Sequence, residues 1–68
     1  MEKGIIKWYD SKKGFGFIKP FLDNGDVFLH LSTVENTGRK DLDNNQRVGY
    51  DLDDNKNSLV AINLKLLP

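Results

Sequence analysis

Two short aromatic segments carry the residue types of this chain that are best suited to chemistry. Residues 13–18 read KGFGFI and residues 27–31 read VFLHL. Alternate side chains of a strand share one face, so Phe15 and Phe17 point the same way, as do the phenylalanine and the histidine of the second segment. If the two strands pair, four flat rings lie on one face of a sheet. Such a face is suited to stacking with unpaired nucleobases.

The rings of these segments have a second interpretation, as part of the hydrophobic core. In an average strand that interpretation is favoured by about two to one. Here the opposite faces carry glycines together with Ile18, Val27 and Leu29, which form a better aliphatic core face. We therefore expect the phenylalanines to be exposed. The glycines are expected to allow the close approach of neighbouring backbone in a tightly bent strand, without contacting a ligand.

The elements that must position these rings are strands separated by turn residues. The predicted strands are residues 4–9, 14–19, 26–31, 47–52 and 59–66. Asn24 and Gly25 form a favoured hairpin pair before the third strand, because both tolerate positive φ. Residues 32–35 have capping-box spacing and predict one short 3-10 turn, and residues 36–45 predict a long polar loop. The sequence therefore predicts an all-β fold, a five-stranded antiparallel barrel of the OB type.

The predicted core of this barrel is mostly aliphatic, with Leu42 as an anchor from the long loop. Its members are Ile6, Ile18, Val27, Leu29, Val34, Val48, Leu52, Ile62 and Leu64. This set can fill a small barrel without the aromatic rings. The side of Tyr9 stays open at this point, since its ring can lie on the surface or be partly buried with the hydroxyl in solvent.

Length and composition predict one small domain. The chain has 68 residues and no cysteine, which predicts a single domain over residues 1–68 and excludes disulfides and thiolate metal sites. It has no apolar run of about 18 residues that could cross a bilayer, and no charged-then-apolar signal segment at its start. We therefore expect a cytoplasmic protein that does not bind membranes.

The charges are unevenly distributed although the net charge is zero. Residues 1–20 contain five lysines against two acidic residues, whereas residues 21–68 contain eight acidic residues against five basic ones. The basic excess coincides with the aromatic segments, where it can attract phosphate. Because a neutral protein attracts a polyanion only weakly, stacking would have to supply much of the affinity for a nucleic acid.

The motifs, in this order, resemble a cold-shock domain of the small bacterial type over nearly the whole chain. Residues 4–9, GIIKWY, resemble the opening strand of that family, with tyrosine where phenylalanine is usual. Residues 13–18 resemble its first ribonucleoprotein motif without change, and residues 26–30, DVFLH, resemble its second. Further matches are Gly38, Leu42, residues 46–48 and residues 61–64. An RNA-recognition motif carries similar strings but needs two amphipathic helices, for which this chain has no room.

The resemblance implies an OB barrel that binds single-stranded RNA and DNA and acts as an RNA chaperone in transcript unfolding, antitermination or translation. It implies no cofactor and no ATP. Carried over position by position, the nucleic-acid-binding residues are Lys7, Trp8, Lys13, Phe15, Phe17, Phe28 and His30. Further candidates for the edge of this surface are Tyr9, Asp26, Leu31, Arg39 and Lys56.

Several of the edge candidates depart from the family's pattern. Leu31 replaces a common phenylalanine, and leucine gives apolar contact without ring stacking, so weaker binding is expected. Arg39 stands where an aromatic residue is typical, and its guanidinium can stack on a base and pair with phosphate. Asp26 can accept a hydrogen bond from a base or close the neighbouring turn. Lys56 occupies a turn position that is often basic in the family. Residues 57–59 replace the usual glycine-proline turn into the last strand.

Two other function classes compete with nucleic-acid binding. A protein-interaction module would dock the same aromatic face on a partner, which the zero net charge favours and the flanking lysines oppose. An enzyme acting on RNA would need an acid–base pair, and the single histidine, His30, has no evident partner. We therefore expect a non-enzymatic monomer without metal or small-molecule substrate. Its expected partners are single-stranded RNA and DNA, with a mild preference for pyrimidine-rich strands.

Overall fold

The computed structural model describes residues 1–22, 25–53 and 59–68. Its elements are β1 (Glu2–Asp10), β2 (Phe15–Pro20), β3 (Val27–His30), α1 (Leu31–Glu35), β4 (Arg47–Leu52) and β5 (Ala61–Leu66). The strands form one sheet in the order β3-β2-β1-β4-β5, and every neighbouring pair is antiparallel. Within the described ranges, no helix is long and apolar enough to span a bilayer.

The sheet curls so that its two end strands approach each other. The backbone N–H of Phe28 in β3 donates to the carbonyl of Leu59 just before β5, at 2.8 Å, and Phe28 forms a parallel bridge with Val60. This contact satisfies part of the outer edge of β3 and turns the sheet into a half-barrel. The prediction of an all-β fold with five antiparallel strands is confirmed, and the curled sheet is consistent with the OB type.

The core lies on the concave face of the sheet and largely follows the predicted set. Six predicted members are fully buried, namely Ile6, Ile18, Val27, Leu29, Val34 and Val48, and the loop residue Leu42 is buried as expected. Leu52 and Leu64 are partly buried and pack against this cluster. Two tyrosines, Tyr9 and Tyr50, are buried as well, so the core is less purely aliphatic than predicted.

The predicted core position of Ile62 is wrong, because β5 contains a bulge. Gly49 pairs with Lys65 but Asp51 pairs with Ile62, so β5 has one residue more than β4 between these pairs. Asn63 lies in this interval with a φ of 54°, a conformation that asparagine tolerates better than most residues. The extra residue shifts the alternation by one position. Ala61 is therefore fully buried, and Ile62 is only half-buried.

The predicted 3-10 turn after β3 is a short α-helix and begins earlier than expected. Its N-cap is His30 rather than Ser32, because the backbone of His30 is still extended and its Nδ1 accepts the backbone N–H of Ser32. The third strand therefore ends at His30. The predicted bounds of β4 are confirmed. The predicted Asn24–Gly25 turn and the turn carrying Lys56 fall wholly or partly outside the described residues.

Candidate nucleic-acid interface

Five rings share the convex face of the sheet, and we call them the aromatic surface. They are Trp8, Phe15, Phe17, Phe28 and His30. In the pairing of β2 with β3, Phe17 lies opposite Phe28 and Phe15 lies opposite His30. In the pairing of β1 with β2, Trp8 lies opposite Phe17. The expectation that the ring-bearing residues of the two motifs share one face, opposite a buried aliphatic face, is confirmed.

Trp8 reaches this face because β1 contains a bulge. Ile6 pairs with Ile18, but Trp8 pairs with Phe17, so β1 has one extra residue, Lys7, between these pairs. Strict alternation from the buried Ile6 would send Trp8 into the core. The bulge reverses the faces, as an inserted residue does in any pleated strand.

The same bulge sends Tyr9 inward, where only 9% of it is exposed. Tyr9 therefore does not join the aromatic surface. Its hydroxyl is buried without a hydrogen-bond partner in the described part of the chain. Burial, with smaller contributions from Asp41, Glu35 and Asp10, raises the pKa of this phenol.

The rings of the aromatic surface hold one another in place. Trp8 meets Phe15 and Phe17 nearly edge-on, with centroids 5.3 and 5.5 Å apart, and Phe17 meets Phe28 in the same way at 5.8 Å. Phe15 and Phe28 stack at 5.8 Å with an interplanar angle of 18°. These are the geometries that aromatic pairs prefer. Four of these rings are half-buried and His30 is exposed, so all five remain accessible. Because the rings restrict one another, they would lose less conformational entropy under a stacking ligand than isolated, mobile side chains would.

Gly16 shows why the motif that carries the phenylalanines also contains a glycine. A Cβ added at Gly16 would lie 2.7 Å from the Cα of Tyr9 and 2.9 Å from its Cδ1. No side chain fits between β1 and β2 at this point without displacing backbone. The structural interpretation of this glycine, close approach of a neighbouring strand, is confirmed.

Lys7 and Asp26 form a salt bridge at the margin of the aromatic surface. The Nζ of Lys7 donates to Oδ2 of Asp26 at 2.8 Å, and both side chains are largely exposed. An exposed pair of this kind stabilises a protein by about 0–1 kcal/mol, so a phosphate can replace the carboxylate at little cost. Asp26 thus has a protein partner in addition to the two roles considered from the sequence.

Lys13 projects from the turn that leads into β2. The side chain of Asp10 accepts the backbone N–H groups of Lys12 and Lys13 at 2.9 and 3.1 Å, and Gly14 follows with a φ of 82°. This Asx turn fixes the backbone, and the side chain of Lys13, two residues before Phe15, remains exposed. An ammonium in this position is available to a phosphate.

His30 has a structural role that sequence reasoning missed. Its Nδ1 accepts the backbone N–H of Ser32 at 3.1 Å and lies 3.0 Å from the hydroxyl of the same residue. In the neutral ring the proton therefore belongs on Nε2, which makes that atom a donor. Histidine is not among the usual N-cap residues, so its position before a short helical segment was too weak a signal to find this role.

The remaining edge candidates lie outside the ring contacts of the aromatic surface. Leu31 is the first residue of α1 and packs half-buried against the core, with its N–H donated to the carbonyl of Gly14 at 2.9 Å. Arg39 is exposed in the loop after α1, where its N–H donates to the hydroxyl of Thr37. Lys56 lies outside the described residues. Over the described ranges, no group of three His, Cys, Asp or Glu residues could hold a metal ion.

Comparison with known proteins agrees with this geometry. A family model described as the "Cold-shock" DNA-binding domain matches residues 2–67. The major cold shock protein of Micrococcus luteus is 39% identical over 67 residues, which cover 98% of this chain and 100% of that protein. Cold shock protein CspC of Bacillus subtilis is 41% identical over 66 residues, covering 96% and 97% of the two chains. The chain belongs to the cold-shock domain family of nucleic-acid-binding proteins.

Proposed function

We propose that this protein binds single-stranded RNA and DNA through the aromatic surface and acts as an ATP-independent RNA chaperone. The observation that carries the proposal is the separation of the two faces of the sheet. The aliphatic side chains and two tyrosines close the core on one face, while five rings remain on the other without being needed to fill it. Nucleobases are flat and apolar on their faces, so they complement these rings.

The chaperone activity would follow from the preference of stacking for unpaired bases. Each stacked base contributes about 1–3 kcal/mol by alanine substitution, and a duplex hides the faces of its bases. A protein that binds only open strands draws a marginal hairpin open by mass action. The rings bind bases without making or breaking covalent bonds, so no catalytic group takes part. Because transcripts are the proposed targets, we further infer that the protein works in the cytoplasm. Since the strands close on one core cluster, we also infer that residues 1–68 act as one domain.

The lysines beside the rings would guide the phosphate backbone. Lys13 is exposed, and Lys7 can exchange Asp26 for a phosphate. With roughly three to four phosphate contacts, the slope of log K against log salt would be about −2 to −3 for a single strand. Stacking then supplies most of the affinity, in agreement with the zero net charge of the chain. Pyrimidine-rich strands would bind somewhat better because they unstack at little cost.

The fluorescence of Trp8, the only tryptophan, tests the proposal directly. Titration with a short oligothymidine should quench it, because a stacked base would replace water against the indole. Inorganic polyphosphate, which has charge but no bases, and a blunt DNA duplex should leave it nearly unchanged. Quenching by all three ligands alike would mean that charge rather than stacking drives binding. The absence of binding to any of them would favour the competing role of the aromatic surface as a docking site for proteins.

A labelled RNA hairpin tests the chaperone part separately. A fluorophore and a quencher at its two ends should separate when protein is added without ATP, and the RNA should remain intact on a denaturing gel. If the protein binds open strands but never opens a marginal hairpin, the chaperone role is wrong. Cleaved RNA would instead indicate an enzyme.

A further inference from the structure

The convex face of the β1–β2 ladder continues beyond the aromatic surface. After the pair Trp8 and Phe17, the next outward pair is Ile5 and Lys19. The pairs on either side of it, Ile6 with Ile18 and Gly4 with Pro20, are buried.

The ladder then extends one step past β2. The N–H of Phe21 donates to the carbonyl of Lys3 at 3.1 Å, so these two residues lie opposite each other. Since neighbouring pairs alternate between faces, Lys3 and Phe21 lie on the same face as the aromatic surface.

The end of this face exposes two large apolar side chains. Phe21 is 55% exposed, and the adjacent Leu22 is 94% exposed. A shallow pocket of about 300 Å³ opens beside them. It is lined by Met1, Glu2, Lys3, Pro20, Phe21 and Leu22. A phenylalanine left at the surface in this way contributes little to the core, and it is available to a ligand.

We propose that Lys3, Lys19 and Phe21 form an extension site that binds the continuation of the single strand held on the aromatic surface. Phe21 would stack with one further base, and the two lysines would contact the phosphates that lead to it. The inference rests on the proposed function, because the extension site has an occupant only if a strand lies on the aromatic surface.

Charge and continuity favour a nucleic acid over a protein as the occupant. Lys3 and Lys19 are both exposed on this face; Lys19 lies between the aromatic surface and Phe21, and Lys3 lies opposite Phe21. Among the described residues, Glu2 is the one carboxylate that lines the pocket, and alternation along β1 places it on the opposite face of the sheet from Lys3. Lysines therefore lie where the phosphates of the strand would run, and the ring of Phe21 lies where a base would stack.

The spacing fits a strand of ordinary length. Phe17 and Phe21 are four residues apart, which corresponds to about 13 Å along a β-strand. A stacked strand covers that distance with about four nucleotides at ~3.4 Å each. An oligonucleotide that fills only the aromatic surface should therefore miss Phe21, and one about four nucleotides longer should reach it.

The test compares oligothymidines of six and ten nucleotides on Phe21→Ala and Phe17→Ala. A decamer offers five hexamer-length registers to a six-nucleotide site, so register counting alone predicts that the unmodified protein binds the decamer about fivefold more tightly than the hexamer. With an extension site, the gain in affinity should be larger than that. Phe21→Ala should weaken decamer binding about fivefold, the lower end for loss of one stacked base, and hexamer binding less than twofold. Phe17→Ala should weaken both.

Two controls keep the outcomes distinct. Leu67→Ala removes a partly exposed apolar side chain that follows β5 and whose N–H donates to the carbonyl of Arg47, and it should change neither affinity. Lys19→Gln should flatten the salt dependence of the decamer alone, whereas Lys65→Gln, an exposed lysine on β5, should not. Equal or no loss with both lengths in Phe21→Ala overturns the extension site. If the unmodified protein binds neither oligonucleotide, the proposed function itself fails.

Discussion

Phe17→Ala separates a binding ring from a core ring more sharply than any other substitution in this protein. Phe17 is central to the aromatic surface, with centroid distances of 5.5, 6.2 and 5.8 Å to Trp8, Phe15 and Phe28. If a base stacks on it, the substitution should lower the affinity for oligothymidine by about 1–3 kcal/mol, or roughly 5- to 150-fold.

The stability of this variant should fall much less than that of a core variant. Phe17 is half-buried, and its contacts with three other rings lie on the solvent-exposed face of the sheet. Aromatic pairs contribute about 0.5–1.5 kcal/mol each, so at the lower end, which suits partly exposed pairs, the loss of three pairs amounts to about 1.5 kcal/mol. For a domain of this size, that corresponds to a Tm lower by roughly 6–12 °C. The titration must therefore be run well below the Tm of the variant.

Ile18→Ala is the matched control, because Ile18 is the next residue of the same strand and is fully buried on the other face. It should lose about 2–5 kcal/mol of stability, with an unchanged affinity of the folded fraction. Denaturant unfolding followed by circular dichroism gives the stabilities, and fluorescence titration gives the affinities. The reasoning is refuted if Phe17→Ala behaves like Ile18→Ala, with a large loss of stability and no change in binding.

Three further substitutions test other parts of the site. Lys13→Ala should lower affinity mildly and make the salt slope shallower by about 0.7; an unchanged slope would remove Lys13 from the phosphate path. Leu31→Phe should tighten binding to oligothymidine, because an added ring at the edge can stack, and equal or weaker binding would show that the position is not part of the site. Tyr9→Phe should be neutral or slightly stabilising at neutral pH, since it removes a buried hydroxyl without a partner in the described residues. The raised pKa of this phenol means that the unfolded chain ionises first, so the unmodified protein should lose stability as the pH rises above about 10. Chemical unfolding at pH 9 and 11 should show that Tyr9→Phe loses less, and an identical loss in both proteins would contradict the pKa shift.

Sequence periodicity predicted the faces of β2 and β3 correctly because neither strand contains a register shift between its motif residues. There, a glycine or an aliphatic residue alternates with a ring, and the pattern is enough to separate core from surface. Periodicity failed where a strand contains one extra residue. Nothing in the local residue types marks the bulge at Lys7, which decides between Trp8 and Tyr9, and the bulge at Asn63 misplaced Ile62 in the same way.

The helix after β3 was harder to predict for a different reason. Ser32 and Glu35 form a good capping pair by sequence, but the residue that becomes the N-cap depends on where β3 ends. That point is set by the pairing of His30 with Phe15 and by the hydrogen bond from Leu31 to Gly14. Tertiary contacts between strands, rather than local preference, determine the first residue of the helix.

The bulge at Lys7 gives β1 one residue more than the ladder with β2 needs. Deleting Lys7 would leave Ile6 and Trp8 as neighbours in a regular ladder, so Trp8 would still face outward and Tyr9 inward. The deletion would instead remove the ammonium that pairs with Asp26 at 2.8 Å. A single missing codon could therefore delete a charge beside the rings without changing the order of the rings.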